Sequence, residues 1–172
     1  MQAKSDLRKR MRMVRDMVDD RLLRSVRLWA EVASTDAYRS AQTVMAFVGV
    51  KGEPDTDPLF ARLAADGKVL VLPRMVDRAI EPALVGDGLV AASFGLLEPT
   101  GATVDPLTID LVLVPGLAYT ATGFRLGYGG GNYDRFLPQT RAETIGVCFA
   151  EQVVDAVPLE PHDLPVGSVI VG

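Results

Sequence analysis

One stretch of this chain concentrates residues able to do chemistry: Gly123-Phe124-Arg125-Leu126-Gly127-Tyr128-Gly129-Gly130-Gly131-Asn132-Tyr133-Asp134-Arg135. Four of its glycines fall within five positions. Glycine costs backbone entropy on folding, so such a cluster needs a reason, either positive φ or close approach of a ligand. Successive free N–H groups aimed at one point make an anion-binding nest, and a helix start beside them adds to the same attraction. Phosphate is the natural guest. On spacing alone, a tight turn and a nucleotide site compete. The Walker pattern is excluded, because no Gly-Lys-Ser/Thr follows. The dinucleotide fingerprint fails too, since its third glycine, after Gly127 and Gly129, would fall at Asn132. Arg125 and Asp134 decide for phosphate: a guanidinium offers forked donors to phosphate oxygens, and a carboxylate can hold the magnesium that travels with ATP.

Those residues need elements to position them. The apolar, β-branched run Ile109 to Val114 reads as a buried strand entering the loop, and Tyr133 to Leu137 as a short helix stopped by Pro138. Residues 3–18 form an amphipathic pattern with Leu7, Met11, Val14 and Val18 as its apolar stripe. Lys4 and Arg8, four apart, share a face and could grip a polyphosphate; a solvated charged face is the plainer alternative. A second helix from Asp20 is expected to turn Leu22, Val26, Trp29 and Ala33 inward. Strand 44–48, the loop Val50 to Asp55 through Lys51, helix 56–66 and strand 69–72 compose a right-handed βαβ unit. Its strands end near Glu53 and Arg74, where open α/β sheets bind ligands. An edge strand is expected over 80–85, a loop over 94–101 and a strand over 144–149. A short helical turn over 151–157, a rigid loop over 158–165 and a last strand over 166–171 complete the chain. The alternation predicts a single α/β domain, residues 1–172, with a mostly parallel sheet flanked by helices.

Composition narrows the function. With 172 residues and 48% hydrophobic content the chain can bury a sizeable core. Net charge is −4, yet residues 1–27 hold nine of the 18 Lys and Arg against four acids, about +5, leaving the rest near −9. That distribution argues against a nucleic-acid binder and for a small anionic ligand. No apolar run is long enough for a membrane span, and no secretory segment opens the sequence, so a cytoplasmic protein acting on small molecules, and a monomer, is expected. The lone Cys148 excludes an internal disulfide and a cysteine-based zinc site, and within an apolar strand it reads as an inert core thiol.

The run Val114-Pro115-Gly116-Leu117-Ala118-Tyr119, leading into Gly123 to Asp134, resembles the signature of the 5-formyltetrahydrofolate cyclo-ligases. The likeness spans essentially the whole chain, through Lys4-(x)3-Arg8, Glu53-Pro54-Asp55-Thr56, Leu72-Pro73-Arg74, Phe94-Gly95-Leu96-Leu97-Glu98-Pro99 and His162-Asp163-Leu164-Pro165-Val166. It implies a fold related to sugar-phosphate isomerases and CoA transferases, and an ATP- and magnesium-dependent ring closure giving 5,10-methenyltetrahydrofolate, ADP and phosphate. Carried over by position, Lys4, Arg8 and the loop Arg125, Leu126, Gly127, Tyr128, Gly129, Gly130, Gly131, Asn132 and Tyr133 would contact ATP, with Arg125 the catalytic cation. Asp134 and Asp163 would hold Mg2+. Val48, Glu53, Tyr128, Gly130 and Asn132 would contact the folate, and His162 would orient the Asp163 loop. Asn132 stands where the family commonly has an aromatic residue, and Gly167 where an Asp often follows Pro-Val. Two other readings stay open: a paralogue acting on another amide, and a nucleotide-binding regulatory module without catalysis.

Overall fold

The computed structural model describes residues 2–50, 52–92 and 96–172. Lys51 of the loop after the first strand, and Phe94 and Gly95 of the 94–99 motif, lie outside the described residues. Helices α1 (Gln2–Asp16), α2 (Arg21–Ser34) and the short α3 (Asp36–Ser40) precede β1 (Thr43–Met45). Helix α4 (Asp57–Ala65) leads to β2 (Val69–Val76) and β3 (Ala79–Leu84). Then come β4 (Leu89–Ala91), β5 (Leu97–Pro99), β6 (Leu111–Val114), β7 (Ala118–Tyr119) and β8 (Arg125–Leu126). Helix α5 (Asn132–Phe136), β9 (Glu143–Cys148) and β10 (Ser168–Val171) close the chain.

Six strands form one sheet in the order β10-β9-β6-β1-β2-β3, parallel except for β3. Side chains alternate across it, as the pleat requires. Val44, Leu72, Leu111, Leu113, Ile145 and Val147 point to one face, under Leu28, Trp29 and Val32 of α2 and Leu59 and Leu63 of α4. Met45, Val71, Val112, Val114 and Cys148 point to the other, packed with Tyr119 and with Phe136 of α5. Helix α1 sits outside the sheet, where Leu7, Met11 and Val14 pack on Leu117, Ala118 and Leu126 of the β7–β8 hairpin.

Several expected elements shift. Strand β1 ends at Met45 rather than Val48, although Ala46 still donates its N–H to Val71 O at 2.9 Å. In α2 the buried face is Ser25, Leu28, Trp29, Val32 and Ala33, while Leu22 and Val26 are exposed. The phase of that helix is set by its C-terminal half, where Trp29 reaches across to donate to Asp55 O at 2.6 Å. Strand β2 runs on through Pro73 to Val76, because beyond Val71 its only strand partner among the described residues is β3, where Pro73 lies opposite Pro82. The 94–101 loop contains β5, paired antiparallel with β4. The helical turn expected over 151–157 is a single 3-10 turn, Ala150–Gln152, and the last strand starts two residues late, at Ser168.

Candidate active site

The chain leaves β1 toward β2 on one side and returns through β6 on the other, so the order reverses at β1 and β6. Ligands of open α/β sheets bind in the crevice beyond the strand ends at such a reversal. Here a cavity of about 310 Å³ opens there, with Phe47, Val48 and Glu53 after β1 and Pro115 after β6. Met75 and Ile80 form another wall, and Tyr128, Asn132 and Tyr133 close the side toward the glycine-rich loop. Arg74 lies outside this lining; the pleat turns it away, and it pairs with Glu81 of β3.

Beside it are two smaller hollows. One, of about 100 Å³, is lined by Arg125, Gly127, Gly130, Gly131 and Asp134, and shares Tyr128, Asn132 and Tyr133 with the large cavity. The other, of about 80 Å³, gathers Lys4, Arg8, Arg125, Asp134, Glu160, His162 and Asp163 around Gly127, Gly129 and Gly131. Thus α1, the glycine-rich loop and the late loop before β10 meet at one place. Among the described residues, nothing in the protein accepts from the backbone N–H groups of residues 127 to 131. Gly129 and Gly131 take φ of +108° and +63°, which turns their amides out of any regular ladder.

The charged groups are already organised. Lys4, on the buried face of α1, donates to Glu160 Oε2 at 2.7 Å and Asp163 Oδ2 at 2.6 Å. Burial alone would lower the Lys4 pKa, but the two carboxylates outweigh it and hold it above the usual lysine value. Arg8 donates its Nε to Gly127 O at 2.9 Å and lies against Gly129. Arg125 is buried and donates to Leu164 O at 2.8 Å and to Asp134 Oδ1 at 2.7 Å. His162 is largely exposed, with its Nε2 3.6 Å from Glu160 and 4.0 Å from Asp163. Leu126 packs its side chain in the α1 contact and also lines the smaller hollow. Cys148 is buried, its thiol pushed up to about 12 by desolvation, and is inert.

Glu53 is buried and accepts from the Val50 N–H at 3.0 Å and from the Tyr128 hydroxyl. Burial raises its pKa, opposed by Tyr128, the Val50 amide and Arg15. The Tyr133 hydroxyl is buried without a partner among the described residues. Asp134 and Asp163 each keep one carboxylate oxygen free of hydrogen bonds among the described residues, and hard oxygen donors suit magnesium. Glu160 brings a third carboxylate; its ligand atoms, with those of His162 and Asp163, lie within 4.8 Å of one another.

Two participants escape the sequence reading. Glu160 sits in a segment that reads only as a proline-rich loop. Arg15 lies eleven residues after Lys4, three helical turns on, so the buried stripe of α1 carries cations as well as Met11. A larger depression of about 510 Å³, between α2, α3 and α4 at the opposite end of the sheet, has its cations committed: Arg62 to Asp66 at 2.7 Å and Lys68 to Ala41 O.

The 5-formyltetrahydrofolate cyclo-ligase family matches residues 1–172. A 5-formyltetrahydrofolate cyclo-ligase of Mycolicibacterium smegmatis is 38% identical over 143 residues, covering 76% of this chain and 74% of that protein. The solution structure of Aquifex aeolicus 5,10-methenyltetrahydrofolate synthetase superposes with a TM-score of 0.87 at 31% identity, covering 98% of this chain and 89% of that one. A 5,10-methenyltetrahydrofolate synthetase from Mycoplasma pneumoniae shares the fold, with a TM-score of 0.80 at 22% identity and 97% of each chain covered. With a match from the first residue to the last, this chain belongs to the 5-formyltetrahydrofolate cyclo-ligase family.

Proposed function

We propose that the chain, acting as one domain over residues 1–172, closes 5-formyltetrahydrofolate to 5,10-methenyltetrahydrofolate, consuming ATP and releasing ADP and phosphate. One observation carries the reading. The apolar cavity that holds Glu53 shares Pro115, Tyr128, Asn132 and Tyr133 with the first hollow, and that hollow shares Arg125, Gly127, Gly131 and Asp134 with the second. A folate in the first and a triphosphate in the others would meet across the glycine-rich loop.

A formyl amide is a poor electrophile because its nitrogen donates into the carbonyl. Transfer of the γ-phosphoryl group to the formyl oxygen breaks the bond to ADP and leaves an iminium-like carbon bearing a phosphate leaving group. The secondary amine of the same folate attacks that carbon, loses its proton, and phosphate departs with the original formyl oxygen. Such a reaction calls for positioning and charge neutralisation rather than an enzyme nucleophile. Lys4, Arg8 and the amides of Gly127 to Gly131 neutralise the triphosphate, and Arg125 steadies the transferred group. Val48 and Asn132 flank the folate, Glu53 takes its polar edge, and Gly130 is at the junction. Asp134 and Asp163, with Glu160 beside them, would hold Mg2+, whose contribution is to neutralise charge on the phosphates.

Purified protein mixed with ATP, magnesium and 5-formyltetrahydrofolate should develop methenyl absorbance only when ATP is present. Thermal stabilisation by ATP without any by a reduced folate, and no absorbance change at stoichiometric enzyme, would reject the reading.

A further inference from the structure

Three segments meet behind the larger cavity. Arg15, in the last turn of α1, is almost fully buried. Its Nη1 donates to the Tyr128 hydroxyl, which donates in turn to Oε1 of Glu53. The same Nη1 lies 3.9 Å from that carboxylate oxygen, and the guanidinium carbon is 5.5 Å from the centre of the Tyr128 ring. Gly52 packs beside it in a left-handed backbone conformation, φ +84°, and a Cβ there would stand in ordinary contact, 3.4 Å from Arg15 Nε. Among the described residues, Arg15 is the cation that bears on Glu53; Tyr119, Tyr128 and Tyr133 are titratable neighbours of the same carboxyl, and Glu98, which accepts from the Met75 N–H at 3.1 Å, is a second carboxyl lining the cavity.

We propose that Arg15 is a positioning residue for the folate cavity, holding the Glu53 carboxylate through Tyr128 as an acceptor aimed at the polar edge of the bound ring. The proposal rests on the ring-closure reading above. A carboxylate buried this deeply, with no cation, takes up a proton instead. Once protonated it presents an O–H where the N–H groups of a pterin edge need an acceptor. Lys4, Arg8 and Arg15 fall on one stripe of α1 by helical periodicity. One helix therefore reaches the phosphate hollow with its first turns and the folate cavity with its last.

The test compares Arg15→Gln, which keeps a donor for Tyr128 but loses the charge, with Arg15→Lys, which keeps the charge. Kinetics for both substrates are measured across pH, with folding checked by ATP-induced thermal stabilisation. In the glutamine variant the KM for 5-formyltetrahydrofolate should rise about tenfold at neutral pH. The KM for ATP should stay within twofold. The acidic limb of kcat/KM should move up by about one pH unit, the usual effect of losing an opposite charge at this range. Lysine should restore most of both. An unmoved limb with an unchanged folate KM overturns the proposal, as do equal losses for both substrates without rescue by lysine. If the glutamine protein does not fold, the lysine variant decides: a wild-type limb supports the proposal and a displaced one overturns it. An inactive wild type would instead reject the ring-closure reading, and calorimetric titration of 5-formyltetrahydrofolate then reads the Arg15 contrast without turnover.

Discussion

Arg125 and Asp134 hold one another: Nη2 of the guanidinium donates to Oδ1 of the carboxylate at 2.7 Å, with the arginine nearly buried. The two side chains that suggested a phosphate site are thus a pair before any ligand arrives, and the second arm of Arg125 is fixed by Leu164 O. A paired, immobilised guanidinium needs no reorganisation when charge develops beside it.

Breaking that pair should therefore affect stability and activity separately. Asp134→Ala leaves a buried cation uncompensated and should cost about 2–3 kcal/mol by urea titration, somewhat below the loss for a fully buried pair because the carboxylate is partly exposed. Asp134→Asn keeps an acceptor for Arg125 and should lose less stability, yet its turnover should fall as far. Arg125→Lys keeps the charge but cannot reach both Asp134 and Leu164 O, so turnover should drop at least tenfold. Undiminished cyclisation by the lysine protein would remove Arg125 from the catalytic role.

The Lys4 cluster predicts a pH window for anchoring α1. Lys4 has a raised folded pKa, so its contribution is complete below the unfolded value of 10.5 and is lost as pH rises through the folded one. Asp163, opposed by burial but held down by Lys4 and the Glu160 N–H, and Glu160, held down by Lys4, are lowered. Their contribution is complete above their ordinary values of 3.8 and 4.5 and is lost as pH falls through the folded ones. Amide exchange in the first turns of α1 should be slow between these limits and accelerate on both sides. Lys4→Met should abolish the alkaline acceleration by freeing the helix at every pH.

Gly123 is where the loop touches the last part of the chain. Its φ is +86°, a Cβ would come within 2.4 Å of Val166 O, and its own carbonyl accepts from the Val166 N–H at 3.0 Å. Gly123→Ala should cost at least 2 kcal/mol, from the left-handed backbone plus displacement of Val166. For a domain of this size that is a fall in Tm of about 5 °C. A calorimetric Tm within a degree of wild type would contradict the geometry.

Much of this was legible in the sequence, and the misses have physical causes. Continuous apolar runs mark β6 and the second half of β9, where both faces are buried, and the glycine cluster with its flanking Arg and Asp marks the loop that lines the two small hollows. The β2–β3 hairpin was harder: its turn is Asp77-Arg78, both at positive φ, without the Asn-Gly pair that advertises such a turn. The expected inward face of α2 is right at Trp29 and Ala33 and wrong at Leu22 and Val26, which fit a helical stripe as well as Leu28 and Val32 do; only the sheet beneath chooses between them. Arg15 carries no such signal, because a basic residue on a core-facing stripe reads as a phase error. Its partners, Glu53 and Tyr128, are remote in sequence.

Asn132 permits a gain-of-function test. Its Oδ1 accepts from Arg135 at 2.8 Å, and its side chain lines the cavity proposed for the folate, where the family commonly has an aromatic. Asn132→Tyr gives up one exposed hydrogen bond and supplies a ring face to the pterin, a contact of about 1 kcal/mol. The KM for 5-formyltetrahydrofolate should fall about fivefold with the KM for ATP unchanged. A rise in folate KM would mean the cavity is already filled by its ligand and the asparagine is a steric adaptation.

Tyr133 sets stability against activity at a single atom. Its ring packs with the core face of Met45 and Val112, while its hydroxyl, buried between the cavity proposed for the folate and the glycine-rich hollow, finds no partner among the described residues. Burial drives its pKa well above the tyrosine value, so it remains a donor at any working pH. An unpaired buried hydroxyl costs about 1–3 kcal/mol; a bound formyl or phosphate oxygen would satisfy it. Tyr133→Phe should accordingly raise the Tm of the ligand-free protein by about 2–4 °C per kcal/mol recovered, while lowering kcat about tenfold or more and leaving the KM for ATP within twofold. A phenylalanine protein that is more stable and equally fast would reduce the hydroxyl to a packing defect. One that is less stable would show that the atom has a partner in the free protein.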